Sequence, residues 1–206
     1  MHIKEISEFN SAKMKITLDN GIAFVLYKGD LSKYKIEIGE INDDIINEIF
    51  TEVLPKRALD RSLKIITGQD LTSGELKKKL EKDLYPEYVI EETVERLKNE
   101  RLLNDERYIR LYIESKSAKK SKRDIMTALY QKDIDLNLAE QIYDELKADD
   151  SLSSEEELIR KLLDKRHFDF ENATFEDTQK QIKYLMGKGF SFDSIRSVLK
   201  GSEYSI

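Results

Sequence analysis

The sequence predicts a mainly α-helical protein: three tandem three-helix repeats forming an elongated, curved array, preceded by a small N-terminal β-hairpin. Three observations carry this expectation. Apolar alternation flanks an Asp19-Asn20-Gly21 turn near the start, helical spacing takes over from Asn42, and three later segments fall into one register without gaps.

In AKMKITLDNGIAFVLYKGD, residues Lys13–Leu18 alternate, break at the turn and resume over Ile22–Tyr27. Asn-Gly supplies the positive-φ residues of a tight hairpin turn, so these two runs are predicted to pair. Tyr34 to Ile41 is a candidate third short strand. From Asn42 the pattern turns helical, with Ile45, Ile46, Ile49 and Phe50 on one stripe that Pro55 is expected to close.

Aligning Leu80, Leu129 and Leu185 brings SGELKKKLEKDLYPEYVIEETVERL, KRDIMTALYQKDIDLNLAEQIYDEL and DTQKQIKYLMGKGFSFDSIRSVLKG into register. Five residues after each leucine stands Tyr85, Ile134 or Phe190; five further on stands Ile90, Ala139 or Ile195. Between them lie Pro86, Asp135 and Ser191, each a residue type that starts helices. Every unit is therefore a helix, a short turn and a helix. A further helix precedes each pair, over Arg57–Thr67, Asp105–Lys116 and Glu155–Arg166. Ser154 with Glu157 three residues on has capping-box spacing. The leucines are 49 and then 56 residues apart, which exceeds the roughly 34 of a two-helix TPR unit. The predicted divisions are a hairpin extension over 1–41, a first helical module with its preceding helix over 42–101, a second over 102–150 and a third over 151–206.

Composition narrows the function classes. The 206 residues carry a net charge of −6, and residues 1–50 hold nine acids against six bases. A protein that binds nucleic acid through bulk attraction should look different, so basic contacts have to be local. There is no cysteine, which excludes disulfides, thiolate zinc sites and cysteine nucleophiles. MHIKEISEFN lacks an apolar core of signal-peptide length, and no window approaches the roughly 18 apolar residues that span a bilayer. A cytoplasmic monomer with no membrane contact is expected.

Catalysis finds no support in the residue pattern. His2 lies at a terminus expected to be mobile, and His167 ends a helix in KRHFDF; neither has metal or triad spacing. Carboxylates such as Glu91, Glu92 and Glu95 read as helix faces paired with Lys and Arg. No phosphate-binding glycine loop occurs. The expectation is a non-enzyme with no catalytic residue, no metal and no cofactor.

One stretch stands out. In LLNDERYIRLYIESKSAKKSKRDI, Leu103, Tyr108, Leu111 and Tyr112 recur at helical intervals and read as packing residues, and Asp105 and Glu106 favour a helix N-terminus. The run then carries Lys116, Lys119, Lys120, Lys122 and Arg123, five cations in eight positions with no acid among them. Two readings stay open: a phosphate-contacting loop, or a solvated one. KKKLEK at 77–82 is a weaker candidate because Glu75 and Glu81 offset its charge.

The chain resembles the RecX family of bacterial recombinase regulators in SGELKKKL (73–80), VERLKNERLLNDERYIRLYIESK (94–116) and KQIKYLMGKGFSFDSIRSVLK (180–200). The resemblance covers about residues 56–200, and it rests on the order and spacing of all three blocks. Leu84 and Asp133 depart from it, standing where Gly189 keeps the family's glycine. It implies three-helix modules lying along the groove of a RecA filament on single-stranded DNA, modulating ATPase and strand exchange, usually by inhibition, with at most weak direct DNA contact. It implies no catalytic residue and no cofactor, and it leaves Lys116, Lys119, Lys120, Lys122 and Arg123 as the plausible contacts. The alternative is a free-standing helical DNA-binding protein with helix-turn-helix-like modules. Base readout would need Arg, Asn or Gln at the start of each third helix, yet these begin PEYVIEE, DLNLAEQ and SFDSIRS.

Overall fold

The computed structural model describes residues 1–200. Two compact units divide the chain, Met1–Asn104 and the part from Asp105 onward.

The first unit opens with a four-stranded antiparallel sheet in the order β3-β2-β1-β4, formed by β1 (His2–Asn10), β2 (Lys13–Leu18), β3 (Ala23–Tyr27) and β4 (Gly39–Glu40). The β2–β3 hairpin forms where predicted, but of the Asn20–Gly21 pair only Gly21 takes a positive φ, 86°, while Asn20 contributes its side chain, Oδ1 accepting the Ile22 N–H at 3.0 Å. The hairpin is only half of the sheet, however. Residues 2–10 form β1, so His2 is not on a loose end but opposite Glu40 in the sheet. Sequence hid this strand because the β1–β2 register shifts between Ile3 and Glu5 and again between Glu8 and Asn10. Such irregularities break the period-2 alternation by which strands are recognised. Of the stretch expected as a third strand only Gly39 and Glu40 pair, as β4; Tyr34 ends a short helix α1 (Lys28–Tyr34), and residues 35–38 are turn and coil.

Pro55 does not close the next helix. Instead, α2 (Asp43–Glu48) runs through a π-helical turn, Ile49–Val53, straight into α3 (Leu54–Ile66). In that turn the Leu54 N–H reaches back to Ile49 O, so it skips Phe50 O, and Pro55 has no N–H to offer. The Tyr88 hydroxyl supplies the missing donor to Phe50 O at 2.8 Å. A π turn thus admits a proline inside a helical rod, with a side chain from elsewhere satisfying the freed carbonyl.

The sheet and this rod share one core, in which Ile3, Ile16, Phe24, Leu26 and Ile49 are fully buried and Leu54 nearly so. The first triplet is α3 with α4 (Ser73–Lys82) and α5 (Glu87–Asn99). Its own core centres on Leu76, Leu80 and Leu97. Arg57 of α3 clasps Asp30 of α1 with two bonds of 2.6 and 2.8 Å and lies over the Tyr27 ring. Burial works against the Asp30 charge, but these bonds and the Tyr27 N–H outweigh it and hold its carboxyl below the ordinary carboxylate value.

The second unit holds two further triplets. One is α6 (Asp105–Ser117), α7 (Lys122–Tyr130) and α8 (Leu136–Ala148); the other is α9 (Glu155–Lys165), α10 (Phe175–Gly187) and α11 (Phe192–Leu199). Each has a core of its own, around Ile109, Ile113 and Leu129 and around Ile159, Leu163 and Leu185. Tyr108 and Tyr112 pack on the first of these. Leu111, expected beside them, is instead half exposed, because the α6 core face runs through Ile109 and Ile113. Ser154 caps α9 through the Glu157 N–H at 3.1 Å.

The repeat register is visible in the backbone. Leu80, Leu129 and Leu185 are all fully buried, and each accepts a bond of 3.2 Å from the N–H five residues on, that of Tyr85, Ile134 or Phe190. The residue before each donor is left-handed: Leu84 at φ 58°, Asp133 at 57° and Gly189 at 88°. This is one Schellman turn built three times. Only Gly189 is forced to be glycine by its surroundings, since a Cβ there would come within 2.6 Å of Ser121 Oγ and 2.8 Å of Arg123 Nε. Among the described residues no helix is long and apolar enough to cross a membrane.

Candidate functional site

The basic run occupies the junction between α6 and α7. Lys116 lies in the last turn of α6, where the negative end of the helix favours a cation. Its carbonyl accepts from the N–H groups of both Lys119 and Lys120 at 2.9 Å, so the chain folds tightly over the helix end. Ser121 then caps α7, accepting the Asp124 N–H at 3.2 Å. The sequence favours this arrangement because a serine hydroxyl can hold the first free N–H groups of a helix.

The five candidate cations are not equivalent. Lys122 pairs with Asp144 at 3.0 Å and sits over the Tyr143 ring. Arg123 donates to Met186 O at 3.2 Å and Gly187 O at 3.4 Å, and Ser121 donates to Lys188 O at 2.8 Å. These carbonyls end α10, which lacks further turns to satisfy them. One side of the run is therefore a clamp that fastens the second triplet to the third. Lys116 leans over the Tyr112 ring at 5.8 Å. Tyr112 stacks on Tyr108 at 6.1 Å, and Lys132 covers the Tyr108 ring at 5.6 Å, giving a row of cations and rings along α6. Lys119 and Lys120 are exposed and have no ion pair among the described contacts.

The clamp was not legible beforehand, because its acceptors are backbone carbonyls that no sequence pattern marks. The weaker basic candidate is partly neutralised, with Lys77 on Glu91 at 2.6 Å. His167 sits left-handed, at φ 54°, just beyond the end of α9. Among the described residues no group of three or more His, Asp or Glu side chains is placed to hold a metal ion.

A small antiparallel sheet followed by three three-helix modules, two of them clamped through a basic loop, defines a modular helical protein. Comparison with known proteins gives that class a family. A model of the "RecX, first three-helix domain" matches residues 58–97, and one of the "RecX, third three-helix domain" matches residues 154–199. Similar proteins named "Regulatory protein RecX" include that of Finegoldia magna, 29% identical over 205 residues with 93% of this chain and 95% of the relative covered. The Clostridium perfringens protein is 25% identical over 204 residues, covering 95% and 92%. A crystal structure of regulatory protein RecX superimposes with a TM-score of 0.63 over 97% of this chain and 98% of that one, at 24% identity. Another, of RecX from Lactobacillus salivarius, gives 0.58 over 71% and 95%, at 23% identity. Over nearly its whole length the chain is similar to regulatory proteins of the RecX family.

Proposed function

We propose that this chain regulates the RecA recombinase without catalysing a reaction of its own, seating its helical modules along the groove of the RecA filament on single-stranded DNA and lowering ATPase and strand exchange. The single observation that carries the contact surface is the pair Lys119 and Lys120, held out at the end of α6 on a loop whose other side is clamped by Ser121 and Arg123. A fixed loop with free ammonium groups meets phosphate or acidic protein groups at little ordering cost. Lys116 flanks it, while Lys122 and Arg123 contribute mainly by holding its shape. Direct binding to bare DNA is weak in this reading, because the net charge of −6 opposes it.

The test is single-strand-DNA-dependent ATPase of the cognate recombinase, titrated with this protein. The expected result is a progressive fall that saturates near a fixed ratio of protein to recombinase. An unchanged rate at saturating protein overturns the proposal. Nanomolar binding to bare DNA with a steep salt dependence, in the absence of recombinase, would favour a free-standing DNA-binding protein instead.

A further inference from the structure

The first unit carries a surface of the opposite character. A groove of about 750 Å³ runs beside the β2–β3 turn, within the size range of ligand-binding hollows. Its apolar trough is formed by Leu18 and Ile22 of the hairpin, Ile46 and Phe50 of the α2–α3 rod, and Tyr88 of α5. Ile22 and Tyr88 remain 41% and 43% exposed on its flanks. The Tyr88 ring is anchored to the rod: its hydroxyl donates to the Phe50 carbonyl freed by the π turn.

The rim is acidic. Asp43 and Asp44 line the groove, which contains no Lys or Arg, and an adjoining hollow adds Asp19 and Glu40. Glu92 lies one helical turn from Tyr88, on the same face of α5. Asp43, largely exposed, is met by the amine of the half-exposed Met1 at 3.1 Å, and Asp44 with the neighbouring Asp19 and Glu40 leaves a net negative rim. Nucleic acid and anionic lipid are repelled by such a rim. A second copy of this chain is a poor occupant too, since its densest basic run, 116–123, carries no large apolar side chain.

We propose that this groove docks a basic amphipathic peptide segment of a protein partner, apolar side chains in the trough and Lys or Arg against Asp43, Asp44 and their acidic neighbours. The pattern is that of an amphipathic helix laid in a hydrophobic groove, with the carboxylates selecting the sign of the flanking charges. This surface is independent of the Lys119–Lys120 loop and stands or falls separately from the filament reading.

The test is fluorescence anisotropy with the full chain and a labelled synthetic peptide bearing a Leu/Phe helical stripe flanked by Lys and Arg. A second peptide keeps the stripe and replaces the cations with Glu. The cationic peptide is expected to bind saturably and the acidic one not to bind. Ile22→Ser, at an exposed turn, is expected to weaken binding about fivefold, as is Asp43→Asn/Asp44→Asn. Lys119→Ala/Lys120→Ala is expected to leave peptide binding intact. If the Asn pair does not fold, the Ile22→Ser arm decides alone. Equal binding of both peptides, no binding of either, or unaltered affinity in a folded variant overturns the proposal. So does sedimentation showing self-association that Ile22→Ser abolishes.

Discussion

Two junctions in this molecule are fastened by an arginine, and the difference lies in what each arginine holds. Where the sheet meets the first triplet, Arg57 grips the Asp30 carboxylate, with the two side chains 25% and 13% exposed. Where the second triplet meets the third, Arg123 grips the carbonyls of Met186 and Gly187, while Ser121 takes Lys188 O and Gly189 lies close beneath both. The first fastening is ionic and titrates. The second uses helix-end carbonyls, which do not titrate, and it depends on the absence of a side chain.

The largest expected effect breaks the second junction. Gly189→Ala places a methyl against Ser121 and Arg123 at φ 88° and is expected to cost about 2 kcal/mol by denaturant unfolding. Adding Ser121→Ala to it removes the closest contact, so the double variant should lose less than the two single losses combined. Strict additivity would mean that the close approach is not what selects glycine.

Asp30→Asn tests the first junction and is expected to cost about 1–2 kcal/mol, because Arg57 then keeps only a neutral partner. The sign of the pH dependence follows from the Asp30 value being lowered on folding. The stability it contributes is fully present above the unfolded value of 3.8 and is lost as pH falls through the lower folded value. Wild type should therefore lose its advantage over Asp30→Asn in acid. Arg123→Ala is the contrast: an exposed side chain on carbonyls, expected to cost on the order of 0.5–1 kcal/mol, with a difference from wild type that stays flat over the same acid range.

The smallest effect compares the turns themselves. Leu84 holds a left-handed backbone, at φ 58°, with a side chain in place, so Leu84→Gly should relieve strain. Greater freedom of the unfolded chain offsets part of the gain, leaving a net change within about 1 kcal/mol of zero or favourable. A large loss in thermal unfolding would show that the Leu84 side chain, half-buried in place, supplies packing the turn depends on.

Which features were legible in the sequence follows from how far apart their partners lie. The triplets could be read because Leu80, Leu129 and Leu185 head the same local helical pattern, and their common burial is the physical cause of that pattern. The Asn20–Gly21 turn was legible for the same reason. Strand β1 was not, since its register shifts twice, nor was the π turn, since Pro55 reads as a stop until Tyr88 is brought to Phe50 O, 38 residues away. The basic run was conspicuous, yet its division of labour was hidden: Arg123 is spent on carbonyls 63 and 64 residues distant, and a carbonyl looks alike at every position.

The regulatory reading rests on Lys119 and Lys120 facing an anionic filament, and co-sedimentation of the protein with recombinase–single-stranded-DNA filaments across a salt series tests it most directly. Lys119→Ala/Lys120→Ala should fold as wild type, bind filaments more weakly, and show a shallower dependence of log affinity on log salt, by about 1.4 if both lysines meet phosphates of a single strand. Binding that matches wild type at every salt concentration would contradict it.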